Sequence, residues 1–164
     1  LKVKEKKDSI GGIVETFILN MPVGIGEPFF DSVESVISHA VFSVPGIRGI
    51  EFGSGFLAST MTGSDHNDEY YYDDGIVKTK TNNHAGIIGG LTTSMPIVFR
   101  AAVKPTSSIG KSQGTVSLKN KSNEKLTIKG RHDPSIVPRA LVAIEMVTAI
   151  SLLDLILEGE KWGI

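Results

Sequence analysis

The chain has 164 residues, a formal net charge of −1 and no cysteine. The lack of cysteine excludes disulfides, zinc–thiolate sites and thiol nucleophiles, and the balanced charge gives no basic surface for nucleic acid and no single-sign tail for a membrane or acidic partner. A chain of this length that is 40% hydrophobic can close one core, so we expect a single domain over residues 1–164.

The first part of the chain predicts a strand followed by a helix. Residues 9–19 are rich in β-branched and aromatic side chains, which predicts a strand. Apolar residues then recur at helical spacing over about residues 31–44. Asp31 precedes these residues and Glu34 follows three positions later, an arrangement typical of a capping box at a helix N-terminus.

A stop signal, a short strand and a polar stretch come next. Pro45 and Gly46 end the predicted helix, and the sequence IRGIEFG after them predicts a strand. Its last residue, Gly53, predicts a turn or a close backbone approach. Residues 63–75 are polar, acidic and aromatic without a helical or strand period, which predicts a long surface loop. Loops of this length in compact domains are usually either functional lids or disordered.

The second half of the chain predicts strands and then one long helix. The apolar run MPIVFRAAVK predicts a strand, and GTVSL and KLTI, separated by KNKSNE, predict a β-hairpin. The last helix is predicted from Pro134 or Pro138 to about Glu158. It has the length of a membrane span, but the charged residues well inside it would be costly in hydrocarbon, which favours a buried core helix. Strands alternating with two long helices predict an α+β fold.

The segment KPTSS, residues 104–108, follows the predicted apolar strand and carries one ammonium, three hydroxyls and a run of backbone amides. Hydroxyls and amides donate hydrogen bonds and lysine supplies positive charge, so such a strand end is suited to holding a phosphate. The alternative is an ordinary polar turn, in which Pro, Thr and Ser are common. The composition of the segment alone favours the turn.

The segment KGRHDP, residues 129–134, places two cations, an imidazole and a carboxylate directly before the last predicted helix. Arg131 and Asp133 at the mouth of a helix N-terminus are suited to binding an anion and moving a proton. The alternative is that Asp133 caps the helix while Arg131 and His132 lie in solvent, and capping aspartates are common. On these residues alone, the capping alternative is the stronger of the two.

Two other segments are weaker candidates for a site. TNNHAGIIGG, residues 81–90, is rich in glycine, which lets the backbone approach a planar ligand or a phosphate, but its glycines lack the spacing of a dinucleotide-binding fingerprint. GSDHND, residues 63–68, holds carboxylates, an imidazole and an amide. Because the spacing of a calcium loop is absent there, solvated side chains are favoured over a metal site.

Taken as a set, these segments resemble the second half of chorismate synthase over nearly the whole chain. The matching segments, in chain order, are DSIGGIVE, MPVGIGEPFFD, VPGIRGIEFGSGF, GSDHNDE, TNNHAGIIGG, KPTSS and KGRHDP. Their order and spacing agree with the family throughout. The family usually has an asparagine followed by Ala-Gly-Gly-like residues, whereas this chain reads Asn83, His84, Ala85 and Gly86, with alanine in place of one glycine.

The resemblance implies an α+β fold that is half of a β-α-β sandwich, with antiparallel strands packed on long helices. It implies a lyase of the shikimate pathway of aromatic amino acid biosynthesis, which removes phosphate from enolpyruvylshikimate phosphate by an anti conjugate elimination to give chorismate. Reduced FMN is the implied cofactor, although the net reaction is redox-neutral. A homotetramer associated with NADP is also implied. The N-terminal sequence LKVKEKKDS is charged and lacks the apolar core of a secretory signal, so we expect a cytoplasmic protein.

The family's functional positions map onto residues of this chain. By the resemblance, Asp133 lies near the flavin ring and helps to move the proton taken from the substrate. The residues implied to contact FMN are Pro45, Gly46, Gly89, Lys104, Pro105, Thr106, Ser107, Ser108 and Arg131. The segment GSDHNDE would serve as a lid over the pocket.

The family's N-terminal half has no counterpart in this sequence. That half carries a Gly-x-Ser-His-Gly histidine, a second catalytic histidine and most of the substrate-binding arginines. We therefore expect the isolated chain to be inactive. Two alternatives stay open: a non-catalytic module that binds flavin or a phosphorylated ligand, and a folded fragment with neither activity nor cofactor affinity.

Overall fold

The structure is a computed structural model that describes residues 2–160. Its helices and strands, in chain order, are α1 (Lys2–Glu5), β1 (Gly12–Ile18), α2 (Val33–Ser43), β2 (Ile47–Phe52), a 3-10 helix (Gly55–Thr60), α3 (Gly63–His66), β3 (Tyr70–Asp73), β4 (Ile76–Thr79), β5 (Ile87–Ile88), β6 (Leu91–Thr92), β7 (Ile97–Val103), β8 (Gln113–Ser117), β9 (Ser122–Leu126) and α4 (Val137–Glu160). Antiparallel strands packed on helices confirm the predicted α+β fold.

The core sheet has three antiparallel strands in the order β1-β7-β2. Its central strand, β7, buries Ile97, Phe99, Ala101 and Val103, whereas the residues between them are more exposed. Side chains of a strand point alternately to the two faces of a sheet, so this pattern means that only one face is covered.

Helices α2 and α4 pack together and cover the buried face of the sheet. Val33, Ile37 and Val41 lie four residues apart on α2, so they share one side of the helix, and all three are fully buried. Ile144 and Leu152 of α4 belong to the same core. Each large apolar side chain buried in this way contributes roughly 1.5–3 kcal/mol.

Helix α4 begins at Val137, one residue before Pro138, because proline is tolerated in the first turn of a helix. The prediction of a buried helix is correct for one side only. The opposite side exposes a row of apolar side chains, namely Leu141, Val142, Met146, Ile150, Leu153 and Leu157. Within residues 2–160, α4 is the single helix long and apolar enough to cross a membrane, and its inner side is packed on the sheet and on α2.

The capping residue of α2 is Ser32, so the prediction of Asp31 as the cap is wrong. The Ser32 hydroxyl accepts a hydrogen bond from the backbone N–H of Ser35 at 3.2 Å. The backbone of Asp31 instead pairs with Glu27. Aspartate and serine are both good capping residues, so their order in the chain did not decide between them.

The prediction of an irregular loop over residues 63–75 is also wrong. The segment contains α3 and β3, and β3 pairs with β4 in a hairpin whose turn is Asp74-Gly75. Both turn residues have positive φ, 48° and 81°, as a two-residue hairpin turn requires. The Asp-Gly pair was therefore the missed signal. The predicted hairpin of GTVSL and KLTI is confirmed as β8–β9, although β9 begins at Ser122 rather than at Lys125.

Candidate functional site

The antiparallel pairing of β2 and β7 brings two distant segments to one edge of the sheet. Ile47, the first residue of β2, is opposite Val103, the last residue of β7. The residues just outside the two strands are Gly46 and Lys104, and the backbone N–H of Lys104 donates to the carbonyl of Gly46 at 2.8 Å. Pro45 and Gly46 therefore lie beside the KPTSS segment, although almost sixty residues separate them along the chain.

A third segment joins the same edge. The hydroxyl of Thr106 donates to the backbone carbonyl of Asp133 at 3.1 Å. The carbonyl of Thr106 accepts a bond from the hydroxyl of Ser9 at 2.6 Å, and the backbone N–H of Ile10 donates to the carbonyl of Pro134 at 2.9 Å. The residues just before β1 therefore tie KPTSS to the segment before α4.

Gly46 needs to be glycine at this junction. Its φ is +99°, and a Cβ there would lie 3.0 Å from Cδ1 of Ile136. A side chain would be strained by the backbone and crowded by the segment that leads into α4. Next to it, Ser107 and Ser108 are exposed, and neither hydroxyl has a hydrogen-bond partner among residues 2–160. Both hydroxyls are free to donate to a ligand.

Asp133 has a defined partner at this edge. Its Oδ2 lies 3.0 Å from Nη1 of Arg139, and the carboxylate is about one-third exposed, at 35%. Because α4 begins only at Val137, Asp133 is not its capping residue, and the capping alternative is wrong. The carboxylate is held by Arg139 while one side of it faces solvent.

Arg131 lines a cleft of about 560 Å³ between the N-terminal segment and the residues that precede α4. A cleft of this volume is within the range of about 300–1,000 Å³ for sites of small molecules and cofactors. The ring of His132 faces the segment after β9, where its Nε2 lies 3.0 Å from the carbonyl of Ile128. Arg131 itself is exposed.

Gly89 lies away from the other predicted FMN contacts. It sits in the turn between β5 and β6, and the carbonyl of the next residue, Gly90, accepts from the N–H of Val33 at the start of α2. Pro45 and Gly46 follow the other end of α2. At 1.5 Å per residue the 11-residue helix is about 16 Å long, so the structure does not bring Gly89 to the junction.

A buried carboxylate, Asp68, organises a different part of the chain. Only 7% of the residue is exposed, so the prediction of solvated side chains in residues 63–68 is wrong for this one. Its carboxylate accepts hydrogen bonds from the hydroxyl of Thr81 at 2.6 Å and from the backbone N–H groups of Asn83 at 2.8 Å and His84 at 2.9 Å. Three donors explain why a charge is tolerated there.

Burial by itself raises the pKa of the Asp68 carboxyl, but the hydrogen bonds from Thr81, His84 and Asn83 outweigh burial and lower the pKa to about 2. Beside this carboxylate the rings of His66 and His84 meet edge to face, with their centroids 4.5 Å apart. Asp68 belongs to the acidic stretch of residues 63–68, and its partners Asn83 and His84 belong to the Asn-Asn-His sequence. Their contact is apparent only in the tertiary structure.

The segment that was predicted as a lid lies at the far end of β2 from the junction. The carbonyl of Asn83 accepts the backbone N–H of Ser54, just after β2, and the Asn83 amide donates to the carbonyl of His66 at 3.1 Å. Gly46 precedes the opposite end of the same strand. Residues 63–69 therefore do not cover the cleft beside Arg131.

Comparisons with known proteins converge on one family. A sequence profile described as chorismate synthase matches residues 1–157. The chorismate synthase of Korarchaeum cryptofilum is 48% identical over 163 residues, which is 99% of this chain and 45% of the relative. The chorismate synthase of Chitinophaga pinensis is 53% identical over 155 residues, which is 94% of this chain and 46% of the relative.

A solved structure agrees with the sequence comparisons. A crystal structure of chorismate synthase superposes with a TM-score of 0.76 at 34% identity, over 96% of this chain and 40% of the solved chain. The chain thus spans about half the length of the curated relatives that it matches.

Proposed function

This chain belongs to the chorismate synthase family, and from that premise we propose that it supplies the flavin-binding and proton-handling part of an enzyme that eliminates phosphate from enolpyruvylshikimate phosphate. The product would be chorismate, and the cofactor would be reduced FMN. The complete enzyme would be a homo-oligomer in the cytoplasm.

One observation carries the proposal. Three segments that are far apart in the sequence meet through the bonds from Lys104 to Gly46 and from Thr106 to Asp133. Each of these segments contains residues that the resemblance implies to contact FMN. Their meeting creates one surface that offers backbone amides, hydroxyls and positive charge together, which suits a phosphate-bearing cofactor.

The residues at the junction fit FMN. Gly46 lets the backbone pass close to the segment before α4, the hydroxyls of Ser107 and Ser108 are free to donate, and Arg131 supplies a cation at the cleft. FMN in its reduced form, when bound, supplies electron density transiently as the phosphate departs. The task of the chain is to hold donors where negative charge develops, which is an electrostatic contribution.

Asp133 is the residue of this chain that we assign to proton transfer. Arg139 holds one carboxylate oxygen, Oδ2, at 3.0 Å and so limits the orientations of the group. The other oxygen is free to accept a proton from a bound substrate. A positioned carboxylate of this kind typically contributes about a hundredfold or more to a rate.

The isolated chain would not turn over substrate, because the groups that bind most of the substrate belong to the part of the family that this chain does not match. A reconstitution experiment tests this. The chain is titrated with FMN, and it is then mixed with the unmatched remainder of the Chitinophaga pinensis relative, enolpyruvylshikimate phosphate and reduced FMN. Release of inorganic phosphate is followed with time.

The expected result is FMN binding by the chain and phosphate release only from the mixture. Binding without release, in a mixture whose two parts associate, would favour the alternative of a non-catalytic flavin-binding module. Neither binding nor release would favour a folded fragment without cofactor affinity. A mixture made with Asp133→Asn serves as the matched control for catalysis.

A further inference from the structure

We infer that Lys7 and Lys129 join Arg131 in one cationic cleft that binds the dianion of a phosphate monoester, with Lys4 at its edge. The inference rests on the proposed function for the identity of the ligand, but it assigns residues that the resemblance does not. Both FMN and enolpyruvylshikimate phosphate carry such a phosphate.

The cleft lies between the N-terminal segment and the strand-to-helix connection before α4. Its lining includes Lys4 and Lys7 from α1 and the residues after it, and Lys129, Gly130 and Arg131 from the connection. These two parts of the chain are more than one hundred residues apart in sequence. The fold has therefore brought Lys4 and Lys7 to the two cations of the KGRHDP segment, a group that no local motif contains as a whole.

The charges of the cleft are not balanced within the chain. Among residues 2–160, no carboxylate lies within ion-pair distance of Lys4, Lys7, Lys129 or Arg131. The one carboxylate in the lining, Asp8, is paired with Lys111 at 2.6 Å. Like charges that share a cleft repel one another, and a bound dianion removes that repulsion.

The backbone holds Lys7 in place over the cleft. Its φ is +54°, its carbonyl accepts the N–H of Gly110 at 3.1 Å, and its own N–H donates to the carbonyl of Lys4 at 3.0 Å. The stem of its side chain lies along Gly110, where an added Cβ would be 3.1 Å from Cβ of Lys7. A side chain larger than glycine at position 110 would displace this lysine.

The cleft is continuous with the junction described above. Ser9, two residues after Lys7, donates to the carbonyl of Thr106, and Ile10 donates to the carbonyl of Pro134. The cleft lining includes His132 and Pro134, the two neighbours of Asp133, and Gly110, two residues after Ser108. The cleft is therefore lined by residues that flank the junction. This placement favours a phosphate that belongs to the cofactor or to the substrate over one that binds at an unrelated surface.

Calorimetric titrations of the chain with three probes test the inference: FMN, riboflavin, which lacks the phosphate, and inorganic phosphate. FMN is expected to bind at least about tenfold more tightly than riboflavin, because charge-assisted hydrogen bonds to phosphate add to the affinity. Lys7→Ala combined with Lys129→Ala is expected to weaken FMN about tenfold or more and to leave riboflavin unchanged. Added salt should reduce the difference in affinity between FMN and riboflavin, because it screens the charges of the cleft.

Lys119→Ala is the matched control, because Lys119 is an exposed lysine in the turn between β8 and β9, outside the cleft lining. Lys119→Ala removes one positive charge, as each of the two cleft substitutions does, and it should leave the affinities for all probes unchanged. Circular dichroism of each variant checks that the fold is kept. A second series of titrations with enolpyruvylshikimate phosphate distinguishes a substrate phosphate from a cofactor phosphate. If the lysine variants bind only this compound more weakly, the cleft holds the phosphate of the substrate. If they bind only FMN more weakly, the cleft holds the phosphate of the cofactor.

Equal affinities for FMN and riboflavin, with enolpyruvylshikimate phosphate also unaffected by the lysine variants, would overturn the inference and leave the proposed function intact. Lysine-dependent binding of inorganic phosphate, with no binding of FMN or enolpyruvylshikimate phosphate, would support the cleft and count against the proposed function. Failure of all probes to bind the folded chain would overturn the inference.

Discussion

Nδ1 of His84 lies 3.0 Å from Oδ2 of Asp68, and the same carboxylate oxygen accepts the backbone N–H of His84 at 2.9 Å. One carboxylate thus holds both the main chain and the ring of a residue sixteen positions later. The other oxygen, Oδ1, accepts from Thr81 and Asn83. Asp68 thereby fastens the residues after α3 to the turn that precedes β5, at the far end of the sheet from the candidate site.

The first prediction concerns acid stability. The pKa of Asp68 is about 2 in the folded chain, and the ordinary pKa of an aspartate is 3.8. The stabilising contribution of the carboxylate is therefore complete above pH 3.8 and is lost as the pH falls towards 2. The contribution at neutral pH is about 2 kcal/mol. In urea unfolding, Asp68→Asn should be less stable at pH 7 by about 2 kcal/mol or more, and the difference should shrink by about 1 kcal/mol at pH 3.

Comparison of the two proteins at each pH cancels the titration of every other acid. Asp73→Asn is the control, because Asp73 forms an exposed ion pair with Lys78 and its removal should have little effect. A difference between Asp68→Asn and the parent chain that stays constant from neutral to acid pH would show that Asp68 keeps its ordinary pKa.

The second prediction concerns the turn after β2. A Cβ at Gly53 would lie 2.1 Å from the carbonyl oxygen of Asn83, and its φ is +53°. Gly53→Ala should therefore destabilise the chain by at least about 2 kcal/mol, since a left-handed alanine costs about 1–2 kcal/mol before any clash with the backbone. Gly63→Ala is the control, because no atom lies within 4 Å of its added Cβ. Equal unfolding midpoints for the two variants would contradict the predicted contact.

The third prediction concerns Ala85, a residue with a side chain in a left-handed backbone conformation. Ala85 is fully buried and has a φ of +57°, a conformation that costs a residue with a side chain about 1–2 kcal/mol. Ala85→Gly relieves this cost while it loses one buried methyl, which is worth about 0.8 kcal/mol. Ala101→Gly loses a buried methyl from β7 without any such relief. Chemical denaturation should therefore show that Ala85→Gly is more stable than Ala101→Gly by at least about 1 kcal/mol.

If Ala85→Gly destabilises the chain as much as Ala101→Gly does, the left-handed conformation at position 85 carries no cost and the backbone there differs from the one described. The comparison uses two alanines of equal burial, so it separates the backbone contribution from the packing contribution.

The fourth prediction concerns catalysis in the reconstituted enzyme. Asp133→Asn keeps the size of the side chain but removes the proton acceptor, so turnover should fall about a hundredfold or more while FMN affinity changes little. Asp154→Asn is the control, because Asp154 lies towards the far end of α4. Phosphate release and FMN titration provide the two measurements. A parallel loss of both in Asp133→Asn would assign Asp133 to cofactor binding instead of proton transfer.

Local patterns in the sequence were sufficient for most of the individual elements. The apolar run in IVFRAAV predicts β7, the spacing of apolar residues predicts α2, and the long apolar segment after Pro134 predicts α4. The segments KPTSS and KGRHDP stand out by their chemistry. These features depend on residues that are near neighbours in the chain, so the sequence alone determined them. The Asp74-Gly75 hairpin was determined in the same way, although the turn signal was overlooked.

Tertiary structure alone decided how those elements combine. The meeting of Gly46 with Lys104 depends on the register of β2 and β7, and the burial of Asp68 depends on donors that come from residues 81–84. Lys7 and Lys129 share a cleft only because the segment before β1 crosses the connection that leads to α4. Contacts between distant residues arise from the packing of whole elements on one core, and no local pattern in the chain contains that information.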